Sequence, residues 1–389
     1  MSNGKSALPQ ILIIALIIVL VHIIVICCFW RPKSGADKSG TETSSDKGIE
    51  SIENGDAPKE PALDIVMPTA NGEKKNDTPV GVTGVFLAKY DDLLNPLDLV
   101  PAVTTSEGVV LGANFGKPLQ FDNRTVYGNI GTLPFSKAAR SGILVDLDSR
   151  RVLWAKHPND PTPIASMVKL MTLLVAFEEI AKNDQLTLDT PVKISAQASK
   201  IGGSQVYLDP RETMPLGELM KAMTIKSAND AAYMVAEFLG GGNISPFVDK
   251  MNAKATELGL PGTRFINSCG LPEGREDSVS SPVGLVIMAE QLMRFPIVYK
   301  WSSTPRAEFR EKGTKGALMM DNTNRRLLRE NIGVDGLKTG TTNRAGSCIT
   351  VTCMRNNRRM VAVVTGFGRA IDRDAFVKRL LDWGYNQAQ

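Results

Sequence analysis

The segment PIASMVKLMT, residues 163–172, places a serine and a lysine three positions apart within an otherwise apolar run. The longer stretch SMVKLMTLLVAFEEIAK, residues 166–182, contains no Pro or Gly and is apolar nearly all round for three turns, which predicts a helix in the middle of a domain. Residues three apart on a helix share a face, so Lys169 can reach the hydroxyl of Ser166. The serine would lie at the helix N-terminus, where backbone N–H groups favour a developing oxyanion.

Elimination of other chemistries leaves lysine as the candidate base. The two histidines are His22, in an apolar segment, and His157, in a polar turn, and no G-x-S-x-G motif is present, which argues against a Ser-His-Asp hydrolase. No HExxH, CxxC or G-x-x-x-x-G-K-[ST] pattern occurs, so neither a metal nor another cofactor is predicted. The 45 basic and 41 acidic residues are interspersed and leave a net charge of +4, which disfavours a nucleic-acid partner.

A lysine base must be accessible in its neutral form near pH 7, and both burial and a second nearby cation lower a lysine pKa. The S-x-x-K pattern alone is weak evidence, because Ser2/Lys5 and Ser44/Lys47 match it as well. Taken alone, Ser166/Lys169 is explained equally well by a helix cap followed by a lysine whose stem packs along apolar surface.

Two further motifs accompany the serine and the lysine. Ser-Ala-Asn, residues 227–229, lies between two predicted helices, 215–225 and 230–239, and Lys-Thr-Gly, residues 338–340, lies on a short apolar strand. Each motif alone is also typical of a turn, a helix cap or an exposed strand end. All three in this order form a much rarer combination, and it is their joint presence that indicates a catalytic site.

Strand patterns lie at both ends of the regular part of the chain. SGILVDLDSRRVLWAKH, residues 141–157, is typical of two strands joined by a polar turn. Further on, GLKTGTT, SCITVTCM and MVAVVTGF have the pattern of successive strands, the last two joined at Asn356 and Asn357, and a final helix is expected over about 372–383. Strands from distant segments with helices between them predict an α/β (α+β) fold, with one sheet packed on helices.

From about residue 141 to residue 385 the chain resembles the serine-type D-Ala-D-Ala carboxypeptidases, the low-molecular-mass penicillin-binding proteins. Besides the three motifs, other segments are similar to family blocks: GGSQVYL (202–208), NSCGL (267–271), TNRRLL (323–328) and VDGLKTGTT (334–342). The resemblance implies a β-lactamase/transpeptidase-like domain, in which an antiparallel sheet is flanked by helices and accompanied by a helical subdomain.

The resemblance also implies roles for nine residues. The catalytic residues are Ser166, Lys169, Ser227, Asn229 and Lys338, and the substrate-binding residues are Thr339, Gly340, Thr341 and Arg373. Ser166 would be the acylated nucleophile, Lys169 the general base that takes its proton, and Lys338 the cation that keeps Lys169 poised. Ser227 and Asn229 would relay the proton and hold the substrate amide.

The same resemblance implies how the leaving end of the substrate is bound. The hydroxyl of Thr339 would bind the terminal carboxylate of the leaving D-alanine, and the backbone N–H groups of Ser166 and Thr341 would form the oxyanion hole. Arg373 is expected to help engage the carboxylate, with Arg369 as the alternative. Cys269, in the NSCGL block, is expected to be a buried free cysteine.

The N-terminal part of the chain has a different composition. Residues 11–30 form an apolar stretch of about bilayer-spanning length without a small-residue cleavage site, which predicts an uncleaved transmembrane helix preceded by cytoplasmic residues 1–10. Residues 31–135 are interpreted as a linker, disordered at least to about residue 80, and residues 136–389 as the catalytic domain. Because the resemblance implies a peptidoglycan substrate, the domain is expected on the outer side of the bacterial cytoplasmic membrane.

The resemblance implies a carboxypeptidase that removes the terminal D-alanine from peptidoglycan stem peptides through a Ser166 acyl-enzyme, with β-lactams as covalent inhibitors, and the apolar segment 11–30 predicts that it is membrane-anchored. A D,D-endopeptidase would use the same groups, and a β-lactamase could use Glu273 or Glu276 to position a deacylating water. A slowly deacylating penicillin sensor or wall-binding protein would also retain them. The sequence leaves these alternatives open.

Overall fold

The computed structural model describes residues 102–104 and 110–388 of the 389-residue chain. The predicted transmembrane segment 11–30 and the part of the linker predicted to be disordered lie outside the described residues. Among the residues that are described, no helix is both long enough and apolar enough to cross a bilayer.

The described residues form long strands near both ends of the domain and helices with several short strands between them. The strands are β1 (Ala102–Thr104), β2 (Val110–Gly112), β3 (Val126–Tyr127), β4 (Gly142–Asp146), β5 (Val152–Lys156), β6 (Thr162–Pro163), β7 (Pro191–Lys193), β8 (Thr213–Pro215), β9 (Val279–Ser280), β10 (Arg306–Phe309), β11 (Leu318–Asp321), β12 (Val334–Thr342), β13 (Gly346–Arg355) and β14 (Arg358–Phe367). The α-helices are α1 (Lys169–Lys182), α2 (Leu216–Ile225), α3 (Asn229–Leu239), α4 (Ile244–Glu257), α5 (Pro282–Gln291), α6 (Pro296–Ser303), α7 (Arg325–Arg329) and α8 (Ala370–Gln387).

A six-stranded sheet has the order β12-β13-β14-β4-β5-β3. Its neighbours pair antiparallel except for β3 and β5, which pair in parallel. β13 and β14 are joined by Asn356 and Asn357, whose φ angles of 50° and 57° suit a tight two-residue hairpin. The sheet therefore combines strands from both ends of the domain, and the predicted α/β (α+β) fold is confirmed. The sheet was expected to be antiparallel but is mixed, because the short edge strand β3 pairs in parallel with β5.

Helices cover both faces of this sheet. On one face α8 packs against β13 and β14, and Trp154 and Phe376 belong to the buried cluster between them. On the other face α5 packs against β4, β13 and β14, within a larger cluster that includes most of the helical region. Cys348 and Cys353 of β13 fall in different clusters, because an odd spacing along a strand points side chains to opposite faces.

Helix α1 runs through the helical region and contacts α3, α4 and α5. Its apolar residues are buried nearly all round, as expected for a helix surrounded by other elements. The predicted helix 166–182 is confirmed from Lys169 onward, but Ala165–Val168 form a short 3-10 helix. Ser166 therefore lies just before the α-helix, in a tighter turn of backbone.

The domain begins before residue 136, so the predicted end of the linker at residue 135 was wrong. Strand β3 is the sixth strand of the sheet, and Trp154 Nε1 donates a hydrogen bond to Gly128 O at 2.7 Å. Upstream of β3, Gly116 N donates to the Glu290 carboxylate at 3.0 Å, and the same carboxylate forms a buried ion pair with Arg150. Residues from about 114 onward therefore belong to the folded domain.

Candidate active site

Ser166 is held at a point where three backbone segments meet. Ala165, which precedes it, has a left-handed φ of 48°. A Cβ added at Gly270 would lie 2.1 Å from Ala165 O, and one added at Gly340 would lie 3.1 Å from Ser166 N. Glycine at these two positions therefore allows the 267–271 segment and strand β12 to approach the serine from two sides.

The Lys169 amine is completely buried beside this serine. Lys169 Nζ lies 3.1 Å from Ser166 Oγ, and it donates to Asn229 Oδ1 at 2.8 Å and to Cys269 O at 2.6 Å. Both of those partners are oxygens that can only accept, so in a neutral amine they take the two N–H bonds and leave the lone pair facing the Ser166 hydroxyl. The contact expected from the three-residue spacing is present, with the orientation that a general base requires.

Burial lowers the pKa of Lys169 to about 8, because it penalises the charged form. Asp230 acts in the opposite direction on this pKa, but its carboxylate oxygens accept hydrogen bonds from the backbone N–H groups of Val206 and Leu208. The hydrogen-bond partners of the amine are thus an amide oxygen and a backbone carbonyl, with a hydroxyl in reach, and none of these groups is charged.

The S-x-N motif forms a second side of the site. Asn229 is the first residue of α3, and its Nδ2 donates to Gly202 O at 2.8 Å, which leaves Oδ1 for Lys169. Its backbone N–H donates to Ser204 O at 2.7 Å, so the GGSQVYL block packs directly against this motif. Ser227 is buried in the turn between α2 and α3, with a left-handed φ of 62° that is unusual for serine.

The K-T-G motif lies on β12, the edge strand of the sheet. Lys338 is buried and its Nζ donates to Thr339 O at 3.0 Å. Burial lowers the pKa of Lys338 well below its usual range, and the nearby charges of Lys169 and Arg373 lower it further. The charge of Lys169 thus acts on Lys338, but the depressed pKa of Lys169 itself is caused by burial, and the expected role of Lys338 in keeping Lys169 poised stays a prediction.

The residues expected to bind the substrate lie on strand β12 and beside its neighbour β13. Thr339 Oγ1 donates to Thr323 Oγ1 at 2.7 Å, which brings the TNRRLL block to the site. Thr323 and Arg373 both line an open cleft of about 690 Å³. Thr341 is exposed near the end of β12.

Arg373 rather than Arg369 lies beside the K-T-G strand. The Arg373 guanidinium is buried and donates to Cys348 O at 3.0 Å, and Cys348 pairs with Gly340 across β12 and β13. It also donates to Asp374 Oδ1 at 2.7 and 2.9 Å. Arg369 is exposed and pairs with an aspartate one turn along α8. Of the two arginines, Arg373 is therefore the one next to the strands of the site, and its role in binding the substrate carboxylate stays a prediction.

The most important group missed by sequence reasoning is a backbone carbonyl. Cys269 O accepts from Lys169 and lies 3.5 Å from Ser166 Oγ. A carbonyl has no sequence signature, and NSCGL was noticed only as a block similar to the family. The Cys269 side chain is a buried free thiol, as predicted, and burial raises its pKa.

The two glutamates considered for a deacylating water are engaged elsewhere. Glu273 Oε1 accepts a hydrogen bond from Asn267 Nδ2 at 2.9 Å. Glu276 forms an exposed ion pair with Arg264 at 2.7 Å. Neither glutamate has a hydrogen bond with Ser166 or Lys169 among the described residues.

A serine whose hydroxyl faces the lone pair of a buried lysine is the arrangement of an acyl-transfer enzyme with a lysine base, here on a transpeptidase-like fold. The chain belongs to the D-alanyl-D-alanine carboxypeptidase family, peptidase family S11, whose family model matches residues 130–368.

Individual proteins support this assignment. The chain is 38% identical over 256 residues to the D-alanyl-D-alanine carboxypeptidase DacF of Bacillus subtilis, an alignment that covers 66% of this chain and 64% of the relative's length. It is 29% identical to a D-alanyl-D-alanine endopeptidase of Escherichia coli, covering 63% of this chain and 77% of that protein. The crystal structure of penicillin-binding protein D2 from Listeria monocytogenes in the ampicillin-bound form is similar, with a TM-score of 0.56 and 26% identity over 64% of this chain and 97% of that one.

The close approach of β12 to the nucleophile predicts a defect in Gly340→Ala. The added methyl group would lie 2.6 Å from Ile164 O, so the strand must move away from Ser166. Because small displacements of reacting groups are costly, acylation by a penicillin should slow by about 10- to 100-fold. The measurement is the rate of covalent adduct formation. Gly368→Ala is the control, since a methyl group there has no atom within 4 Å, and equal rates in the two variants would contradict the prediction.

The depressed pKa of Lys169 predicts the pH dependence of acylation. Only the neutral amine accepts the serine proton, so the rate should rise as the pH increases through about 8 and then level off. Acylation at pH 7 should therefore be about tenfold slower than on the plateau. Adduct formation would be timed between pH 6 and pH 10 with a penicillin whose own reactivity is measured in parallel. A rate that does not change across this range would be evidence against Lys169 as the base.

Proposed function

We propose that this protein is a membrane-anchored serine D-Ala-D-Ala carboxypeptidase that removes the terminal D-alanine from peptidoglycan stem peptides. The observation that carries the proposal is the contact between Ser166 Oγ and the Lys169 amine, which is buried and has only uncharged hydrogen-bond partners. Membership of the D-alanyl-D-alanine carboxypeptidase family supports the choice of substrate class.

In the first half-reaction Lys169 Nζ takes the proton of Ser166 Oγ as the oxygen attacks the carbonyl carbon of the penultimate D-alanine. The charge that develops on the carbonyl oxygen would be stabilised by the backbone N–H groups of Ser166 and Thr341. Gly340 supports this role, because its close packing against Ser166 N brings the two backbone segments together.

Collapse of the tetrahedral intermediate breaks the peptide bond, and the amine of the leaving D-alanine takes a proton that originates on Lys169. Ser227, in the turn beside Asn229, is the proposed relay for that proton. The leaving carboxylate would be bound by Thr339, with Arg373 behind the strand contributing positive charge. Water then attacks the acyl carbon and gives a proton to Lys169. As the bond from the acyl carbon to Ser166 Oγ breaks, Lys169 passes this proton to Oγ and the shortened peptide leaves as its acid, so the sum of the steps is hydrolysis.

The first test combines acylation with product release. Intact-mass spectrometry after mixing with a penicillin should show a covalent adduct in the wild-type protein and none in Ser166→Ala. Lys169→Ala should keep its fold and lose acylation by about 10²- to 10⁴-fold, the usual range for removal of a general base. Incubation with a peptide ending in D-Ala-D-Ala should release D-alanine, and a wild-type protein that never acylates at Ser166 would refute the proposal.

A D,D-endopeptidase is the second candidate, because the similar Escherichia coli protein bears that name. The same experiment separates the two when a cross-linked peptide dimer is included as a substrate. Release of D-alanine from the linear peptide, faster than cleavage of the dimer, favours the carboxypeptidase. The reverse order favours the endopeptidase, and rapid turnover of the penicillin itself favours a β-lactamase.

The proposed location is the outer side of the cytoplasmic membrane, with residues 11–30 as a single transmembrane anchor. The support is the length and apolar composition of that segment and the extracytoplasmic location of peptidoglycan. Full-length protein should sediment with membranes and be degraded by protease added to intact spheroplasts. A variant without residues 1–30 that still sediments with membranes would argue against the anchor.

A further inference from the structure

The loop 267–273 is organised by one buried side chain, Asn267, which is 5% exposed. Asn267 Oδ1 accepts from Cys269 N at 3.2 Å and from Gly270 N at 2.7 Å, and Cys269 Sγ lies 3.6 Å from it. Its Nδ2 donates to Leu271 O at 2.8 Å and to Glu273 Oε1 at 2.9 Å. Both ends of the amide are thus fully used, and the loop is closed on itself around this side chain.

One peptide unit of this loop connects Asn267 with the proposed catalytic base. The N–H of Gly270 is held by Asn267, while the C=O of Cys269, which belongs to the same peptide unit, accepts from Lys169 Nζ at 2.6 Å. A peptide unit is planar, so fixing the direction of its N–H also fixes the direction of its C=O. The orientation of the carbonyl that takes one hydrogen of the amine therefore depends on the Asn267 side chain.

We propose that Asn267 is a positioning residue for the reaction: through the Cys269–Gly270 peptide it orients the Lys169 amine so that the lone pair faces Ser166. This inference rests on the proposed function, in which Lys169 is the base. Asn267 has no hydrogen bond with Ser166 or Lys169 among the described residues, so its proposed action on the amine passes through this peptide. Glu273 assists by accepting from Asn267 Nδ2, which fixes which end of the amide faces Gly270.

A matched control variant in the same region distinguishes a positioning role of Asn267 from a merely structural one. Asn252 of α4 also fastens this part of the chain with its amide group, since its Oδ1 accepts from Phe265 N at 2.8 Å and its Nδ2 donates to Phe265 O at 2.9 Å. It lies outside the network around the Cys269–Gly270 peptide. Loss of Asn252 should therefore loosen the loop without redirecting the carbonyl.

The experiment measures the rate of acylation of the full-length protein by a penicillin as a function of pH. Asn267→Ala should lower the plateau rate by about 10- to 100-fold, because the amine loses its orientation. The acid limb of the profile should also move to lower pH, since a misdirected carbonyl no longer stabilises the ammonium form. Asn252→Ala should keep the wild-type plateau within about threefold and leave the acid limb in place.

The expected shift of the acid limb of the pH profile must be caused by the Cys269 carbonyl and not by an ionisable group near Lys169. The ionisable groups that face the amine are Asp230 on α3, the Cys269 thiol in the loop and Lys338 on β12. Asp230 and Lys338 have no hydrogen bond with Asn267 among the described residues, but Cys269 Sγ, 3.6 Å from Asn267 Oδ1, loses that partner in Asn267→Ala. The comparison is therefore repeated in a Cys269→Ala background, in which the thiol is absent and the shift should persist. A profile for Asn267→Ala that matches the wild type, or that matches Asn252→Ala in both plateau and limb, would overturn the inference.

A second pair of variants covers the case in which Asn267→Ala fails to fold. Asn267→Asp keeps an acceptor for the Gly270 N–H but places a carboxylate against Glu273, and acylation should slow. Adding Glu273→Gln supplies a donor to that carboxylate, and the double variant should recover most of the plateau rate. If Asn267→Asp acylates as fast as wild type, or if both variants fold and the double variant recovers nothing, the inference is wrong. Absence of acylation in the wild-type protein would instead refute the proposed function.

Discussion

The site depends on keeping a lysine amine buried without a carboxylate partner. An ammonium group removed from water in this way is costly, and the cost is what lowers the pKa of Lys169 to about 8. A salt bridge would stabilise the charged form and raise the pKa of Lys169, which would leave little of the neutral amine that the proposed role as base requires. The structure instead surrounds the amine with neutral acceptors, Asn229 Oδ1 and Cys269 O, and the carboxylate of Asp230, which acts on the Lys169 pKa, is bonded to backbone N–H groups.

Bringing those acceptors to one amine requires unusual backbone geometry. Ala165 and Ser227 have left-handed φ angles, a conformation that costs of order 1–3 kcal/mol for residues with a side chain. Such conformations persist only where the surrounding packing determines them. Ala165 lies in the turn before α1, and Ser227 lies between α2 and α3. Apolar residues of these three helices form one continuous buried cluster with the sheet. The strain and the core are therefore parts of one arrangement, and the core holds the strained turns in place.

Sequence reasoning identified the groups that have side-chain signatures and missed those that do not. The spacing of Ser166 and Lys169 was sufficient to predict their contact, because both lie on one rigid local segment. The prediction that Asn229 and Lys338 belong to the site needed the family resemblance. Both are far from Lys169 in the sequence, and local spacing does not predict that they lie near it in the fold. Strand β3 was missed because two residues show no alternation, and the Cys269 carbonyl because every residue has one.

The loop that supplies this carbonyl also helps to distinguish a peptidase from a β-lactamase. A β-lactamase needs a carboxylate that holds a hydrolytic water against the acyl-enzyme. In this chain the Glu273 carboxylate accepts from Asn267, which in turn holds the peptide bonded to Lys169. Moving Glu273 towards the acyl-enzyme would remove one of the bonds that fix Asn267 and so disturb the base. Because Glu276 is bonded to Arg264 at the surface, the acidic residues of this loop serve its architecture, which favours a peptidase over an enzyme built for rapid turnover of β-lactams.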